Sequence, residues 1–139
     1  MAPRFQITSP SSLLVVGLTI LPMLYMGLWS TMIIGTFSGL WHPHIAGLDV
    51  GTAIRRADPA ELAGLVLMSS FWLSGIAFLV SGRRAAVYCL ILGCAVHIAV
   101  WLKITDGQYY AGQFGLIIIL LEMLAITLAH FITRGRRLI

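Results

Sequence analysis

Four long apolar stretches, separated by short polar segments, dominate the pattern of the chain. They cover residues 12–41, 60–80, 85–102 and 109–133. A helix rises about 1.5 Å per residue, so roughly 20 apolar residues cross the ~30 Å hydrocarbon core of a bilayer. Only helices and closed barrels satisfy their backbone polar groups inside lipid. The pattern therefore predicts four transmembrane α-helices.

Local signals mark where these helices begin, bend and end. Asp58 is placed to cap the second helix, with Pro59 at its first position and Glu61 at its third. Gly82 follows the same helix and is typical of a residue that ends one. The first stretch is longer than the hydrocarbon core, and Pro22 inside it predicts a kink.

The connections between the stretches are short, which favours helices that alternate in direction. The predicted fold is an all-α integral membrane protein with a single domain, residues 1–139, built as an antiparallel up-down four-helix bundle. The first stretch is too long for a signal peptide, so we expect it to remain as a helix. Only the loop at 41–59 is sizeable, and within it Leu48–Ile54 is either a short surface helix or a structured loop.

The basic residues predict the orientation, because cytoplasmic flanks are enriched in Lys and Arg. The turn after the second stretch and the two termini carry most of them, whereas the 41–59 loop and the 103–108 turn mix basic residues with acids. Both termini are therefore predicted to be cytoplasmic, and Trp41, Trp101, Tyr109 and Tyr110 to form an outer aromatic belt. The cytoplasmic set is Arg4, Arg83, Arg84, Arg134, Arg136 and Arg137.

The composition excludes an ordinary soluble domain. The 139 residues are 59% hydrophobic and 10% charged, with a mean hydropathy of +0.95, whereas soluble domains carry about 25% charged residues. The lipid bilayer is the expected partner for so much apolar surface. The net charge of +4 comes from residues that flank the apolar stretches, so we expect no nucleic-acid partner. The expected location is a plasma membrane, the inner membrane in a bacterium.

Glu122 is the only acid near the middle of an apolar stretch. Charged groups at that depth usually face the protein interior and have partners. Counting about 1.5 Å per residue from the cytoplasmic ends places His97 at nearly the same depth as Glu122. We expect the two to meet, either as a proton-handling or substrate site or as a hydrogen bond that locks two helices together.

The outer loop holds a second group of polar residues with possible chemistry. His42, His44 and Asp49 offer two imidazoles and a carboxylate, the donors that Zn²⁺ or Cu²⁺ accepts. The alternative is that they are ordinary interfacial loop residues. His130, near the cytoplasmic end of the last helix, is expected to reach the interface or the helix C-terminus.

Glycines predict where helices approach closely. Gly35 and Gly39 form a GxxxG in the first helix, and Gly112 and Gly115 lie near the face of the last helix that carries Glu122. These four are the predicted helix-packing positions.

No catalytic constellation is present in the sequence, and the two cysteines, Cys89 and Cys94, are expected to pack as free thiols. We therefore expect a protein that is not an enzyme. The leading hypothesis is an accessory subunit of a larger membrane complex, of the respiratory or photosynthetic type that carries out electron transport. The alternatives are an oligomeric proton-coupled transporter that uses Glu122 and His97, and an anchor for haem, a pigment or a quinone. No cofactor is predicted outright; haem or a pigment would bind through His97.

Overall fold

The computed structural model describes residues 10–45, 47–105 and 113–135. The described chain is helical apart from one two-stranded ribbon and its connections. Several predicted features lie outside these residues: Arg4, residues 106–108 of the polar turn, Tyr109, Tyr110, Arg136 and Arg137. The elements are α1 (Pro10–Ser38), β1 (His44–Ile45), β2 (Leu48–Asp49), α2 (Val50–Arg56), α3 (Pro59–Val80), α4 (Ala85–Thr105) and α5 (Gln113–Gly135).

Four of these helices, α1, α3, α4 and α5, are long and apolar enough to cross a membrane, as the sequence predicts. The bounds shift by a few residues. The third helix continues to Thr105 instead of stopping at 102, and the predicted start of the fourth at 109 lies outside the described residues.

The first helix ends at Ser38, three residues before the predicted end at Trp41. Gly39 adopts a left-handed backbone conformation with φ +72°, which non-glycine residues rarely accept. Its N–H donates to the Thr36 carbonyl at 3.3 Å, and the Trp41 N–H donates to the Gly35 carbonyl at 3.0 Å. Gly39 therefore terminates the helix.

Pro22 lies inside α1 and is buried. Proline has no N–H, so the turn around it has fewer internal hydrogen bonds. Beside it, the Trp72 indole of α3 donates to the Thr19 carbonyl at 3.0 Å, and the Thr19 hydroxyl donates to the Val16 carbonyl at 2.8 Å. A tryptophan with no exposed surface thus ties α3 to α1 within one turn of Pro22.

Both predicted signals of the next spanning helix are confirmed. The Asp58 carboxylate accepts the Ala60 N–H at 2.8 Å, and Pro59 occupies the first turn of α3. At the other end Gly82 has φ +69°. The Arg83 N–H reaches the Phe78 carbonyl at 2.8 Å and the Gly82 N–H reaches Leu79 at 3.1 Å, the hydrogen bonds of a Schellman motif.

The four long apolar helices pack as a ring in the order α1, α3, α4, α5, with α5 returning to α1. The closest pair is α3 with α4, where the early part of one helix lies beside the late part of the other. Gly64 faces Val100 and Gly75 faces Leu90. This pairing and the short turn between the helices make the hairpin antiparallel.

The 41–59 region forms a small structured unit after the C-terminal end of α1. Strands β1 and β2 pair antiparallel, with His44 opposite Asp49. The Asp49 carboxylate then caps α2 by accepting the Thr52 N–H at 2.8 Å. The stretch that the sequence leaves open, Leu48–Ile54, is therefore the second strand followed by most of a short helix.

Candidate functional site

Small residues bring α5 close to α4 on the face that carries Glu122. At Gly115 an added Cβ would lie 2.6 Å from the Trp101 ring, so only glycine permits that approach. Ala125 and Ala129 are fully buried on the same face. Glu122 lies two turns after Gly115 and therefore points into the bundle.

The structure brings His97 and Glu122, which the sequence places at matching depths in two apolar stretches, into contact. Nδ1 of His97 on α4 lies 2.7 Å from Oε1 of Glu122 on α5. The side chains are 5% and 0% exposed, respectively. A hydrogen bond between imidazole and carboxylate in such a dry setting is strong, because little water competes for either group. It also fixes the orientation of the imidazole ring.

The second carboxylate oxygen of Glu122 is the unusual feature of this pair. Oε2 is buried and accepts no N–H or O–H hydrogen bond from the described residues. Buried polar atoms are nearly always paired, since an unpaired one keeps its full desolvation cost. An oxygen held in this way is a ready acceptor for a proton or for a polar group of a ligand.

Two further residues belong to the site although the sequence analysis does not assign them to it. The Tyr25 ring of α1 stacks on His97 with 6.1 Å between centroids. Tyr25 and the Cys94 thiol both lie near the Glu122 carboxyl group, and the thiol is a weak hydrogen-bond donor toward it. The signals were a tyrosine in the middle of an apolar helix, whose hydroxyl needs a partner, and a cysteine one turn before His97.

A cavity of about 240 Å³ extends from His97 toward the end of the bundle that carries the 41–59 region. Tyr25, Trp29, Trp101 and Thr105 contribute to its walls. The other direction is closed by apolar packing, with Trp72, Leu79, Leu90 and Ala129 among the fully or nearly fully buried residues. Of the two residues, His97 lines this cavity, whereas Glu122 lies behind it in the buried core.

The structure also brings together the three residues predicted as metal ligands. Nε2 of His42 lies 2.9 Å from Oδ1 of Asp49, and ligand atoms of His42, His44 and Asp49 lie within 4.8 Å of one another. Hydrogen bonds from Thr52, with a smaller contribution from His42, lower the pKa of Asp49 to about 2. The carboxylate is therefore ionised at neutral pH.

The predicted packing glycines have different environments. Gly115 packs against α4, as described above. Gly35 meets Trp41 of the following segment, where an added Cβ would lie 3.0 Å from the Trp41 Cβ. Gly39 follows α1 and has no described atom within 4 Å of an added Cβ, so the packing role of the GxxxG stays a prediction. Gly112 lies outside the described residues.

The described histidines occupy three separate places. His97 is central, His42 and His44 lie at the 41–59 end, and His130 is exposed near the end of α5. No second described histidine shares the depth of His97. Among the described residues, His97 is therefore the only histidine that could ligate a haem or pigment at that depth. Binding of haem or a pigment through His97 stays a prediction.

The fold and the site together define a class: a bundle of four apolar, potentially membrane-spanning helices with a buried histidine–carboxylate pair at its centre. No family model, curated protein or solved structure matches the chain. The function must therefore be argued from the site itself.

Proposed function

We propose that the four spanning helices insert into a plasma membrane, the inner membrane in a bacterium, with both termini cytoplasmic. Two observations support the predicted grouping of charged residues at the two ends of the helical bundle. Lys103 at the end of α4 forms an ion pair with Asp58 before α3. At the opposite end, Arg84 and Arg134 line one cavity between α4 and α5. We assign the end that carries Arg84 and Arg134 to the cytoplasm, because flanks rich in Lys and Arg are retained on that side.

We further propose that the protein is a small proton-coupled transporter in which Glu122 and His97 form the proton site. The observation that carries the proposal is the unpartnered Oε2 of Glu122, buried beside a histidine that lines a cavity. A purely structural hydrogen bond needs neither the unpaired oxygen nor the cavity. For this reason we rank the transporter above the accessory subunit.

The chemistry of the pair suits proton uptake. A proton that enters through the cavity has two adjacent acceptors, the carboxylate and the imidazole. Its arrival changes the net charge of the pair by one unit in a medium of low dielectric constant, where charge changes have large energetic consequences. The apolar packing on the far side prevents a direct leak. Net transport therefore requires a rearrangement of the helices or a partner copy that completes the path.

Infrared difference spectroscopy tests the proton site without knowledge of the substrate. The full chain is placed in lipid nanodiscs and its carboxyl C=O band is followed as the pH changes. We expect a band from a buried carboxyl group that titrates reversibly and is missing in Glu122→Gln. The chain has a second glutamate, Glu61, in the first turn of α3, so Glu61→Gln is the matched control and must keep the band.

Proton flux into dye-loaded liposomes under an imposed membrane potential provides the second readout. We expect Glu122→Gln to reduce any protein-dependent flux at least tenfold while the variant remains folded. A glutamine still accepts a hydrogen bond from His97. If no carboxyl band titrates while the chain remains folded, the proton-site proposal is wrong.

An accessory subunit of a larger membrane complex is the second candidate. It is favoured by the exposed face of α3, which points away from the other helices. This face exposes a row of small residues, and the Ser70 hydroxyl bonds to its own helix at the Val66 carbonyl at 2.8 Å. Such smooth faces allow another helix to approach closely. The row consists of Ala63, Ser70, Ser74 and Ala77.

Native mass measurement after gentle extraction tests this candidate. A subunit will migrate with stoichiometric companions, and Ser74→Phe will release it, whereas Ile117→Phe on the exposed face of α5 will not. A chain that migrates without companions contradicts the accessory role.

A further inference from the structure

We propose that the hairpin between α1 and α2 binds one divalent transition-metal ion of the zinc class through His42, His44 and Asp49. The site is separate from the central histidine–carboxylate pair and does not depend on proton handling there. It lies at the opposite end of the bundle from Arg84 and Arg134.

The hairpin brings its three ligands together by its register. His44 and Asp49 are cross-strand neighbours in the β1–β2 ladder, and neighbouring side chains on such a pair lie about 5 Å apart. His42 precedes the strand and reaches the same carboxylate, with Nε2 2.9 Å from Oδ1. Ligand atoms of a tetrahedral zinc site are roughly 3.3 Å apart. The ligand atoms of the three residues lie within 4.8 Å of one another. Small rotations of these exposed side chains shorten the spacings to the value of a zinc site.

Each ligand is already oriented by a contact of its own. Both oxygens of Asp49 accept from Thr52, Oδ1 from the N–H and Oδ2 from the hydroxyl, at 2.8 Å each. Nδ1 of His44 lies 3.1 Å from the His42 carbonyl, which places the ring proton on Nδ1 and leaves the Nε2 lone pair for a metal. Supporting hydrogen bonds of this kind are typical of metal-binding imidazoles.

The position of His42 depends on a glycine. An added Cβ at Gly51 would lie 2.5 Å from Nδ1 of the His42 ring, so the ring occupies space that any other residue would fill. Gly51 is buried under the ring, and its N–H donates to the Pro43 carbonyl at 3.1 Å. The local fold thus holds the imidazole over the turn that begins α2.

A simple ion pair does not account for the whole cluster. The pair between His42 and Asp49 explains why those two residues meet, but it leaves out His44, whose ring lies 5.2 Å from that of His42 between centroids. Two imidazoles beside an ionised carboxylate match the preference of zinc and copper for nitrogen ligands, whereas calcium and magnesium prefer oxygen. Water completes the coordination, as in zinc sites with three protein ligands.

One residue opposes metal binding. Nη2 of Arg55 lies 3.4 Å from Nδ1 of His42, a long contact from an exposed side chain. A metal on Nε2 requires the ring proton on Nδ1, so the guanidinium that donates to Nδ1 must move away before the metal binds. Replacing the arginine is therefore expected to strengthen metal binding, a result that a passive loop would not give.

Calorimetric titration of the purified full chain with Zn²⁺ tests the proposal, using a purification tag that contains no histidine. We expect one Zn²⁺ per chain, at least tenfold weaker binding in His44→Ala and in Asp49→Asn, and tighter binding in Arg55→Gln. Asparagine still caps a helix, so Asp49→Asn separates the charge from the fold. His130→Ala removes an exposed histidine outside the hairpin and is the matched control.

His44→Ala decides between the two explanations of the cluster, since His44 takes no part in the ion pair. Loss of affinity in this variant, with helix content unchanged by circular dichroism, supports the metal site. If the wild type binds no Zn²⁺, or if His44→Ala binds it as tightly as the wild type does, the proposal is overturned. Neither result bears on the proton site, which the infrared band of Glu122 tests separately.

Discussion

At the scale of single residues, the hydrogen bond between His97 and Glu122 adds less stability than its short distance suggests. Removing two polar groups from water costs several kcal/mol per ion when both are charged, so a buried pair adds little net stability. Removing one partner is different, because the remaining group is left buried without its hydrogen bond. The pair is thus more important for what its loss would leave behind than for the stability it adds.

The first prediction follows from this asymmetry. His97→Ala is expected to lower the free energy of unfolding by about 3 kcal/mol or more, because the Glu122 carboxyl group loses its partner. The double variant His97→Leu with Glu122→Leu is expected to recover most of that loss, since two apolar side chains leave nothing unsatisfied. Unfolding in mixed detergent measures both. Equal destabilisation by the single and double variants would contradict the argument.

At the scale of helices, the contact between α3 and α4 depends on glycine. An added Cβ at Gly75 would lie 2.6 Å from a Leu90 methyl group and 3.3 Å from the Leu90 backbone nitrogen. The backbone cannot move aside without separating the two helices. Close approach of this kind lets dispersion forces hold helices together where lipid removes the hydrophobic driving force.

The second prediction compares two glycines in spanning helices. Gly75→Ala is expected to destabilise the bundle by about 1–3 kcal/mol through overpacking. Gly27→Ala on α1 has nothing within 4 Å of the added methyl group. It is expected to be neutral or to stabilise by up to about 1 kcal/mol through helix propensity. Thermal unfolding of the two variants side by side measures the difference, and equal effects would show that the helices are not in close contact at Gly75.

The third prediction concerns the start of α3, where one residue serves two helices. The ion pair with Lys103, followed by the hydrogen bond from the Ala60 N–H, lowers the pKa of Asp58 below its ordinary value of 3.8. A carboxyl group with a depressed folded-state pKa stabilises the fold above the unfolded value of about pH 4. That contribution is lost as the pH falls through the folded-state pKa.

We therefore expect the wild type to lose more thermal stability than Asp58→Asn on acidification from roughly pH 5 to roughly pH 3. Asparagine keeps the cap but has no charge to lose. Melting curves of both proteins at the two pH values supply the measurement. Parallel losses would mean that the ion pair contributes nothing measurable, which is common for exposed pairs.

At the scale of the whole molecule, the fourth prediction concerns orientation. A fluorescent protein fused after Ile139 is expected to fluoresce, and alkaline phosphatase at the same place to be inactive, because the C-terminus is predicted to be cytoplasmic. Phosphatase inserted within residues 41–59 is expected to be active. Substituting Arg83 and Arg84 by Glu should reduce this bias, since the cationic turn is retained on the cytoplasmic side. An active phosphatase after Ile139 would reverse the assigned orientation.

The number of long apolar helices, their approximate positions and the ends marked by Asp58 and Gly82 were determined by the sequence alone. These features depend on local chemistry: the hydropathy of a continuous stretch, an acceptor for free N–H groups, and a residue that tolerates positive φ. The depths of His97 and Glu122 could be matched for the same reason, because rise per residue is a constant of the helix.

Only the tertiary structure decided how the helices face one another. A helix turns about 100° per residue, so a matched depth leaves open whether two side chains point together, and the close packing at Gly115 and Trp101 settles that rotation. Tyr25 joins the site from α1, more than 70 residues before His97 in the chain. The cavity is formed by residues of several helices, and no local pattern encodes these contacts. The cluster of His42, His44 and Asp49 likewise depends on strand register. In each case the reason is the same: the sequence specifies what each segment prefers, whereas close packing between distant segments decides which side chains meet.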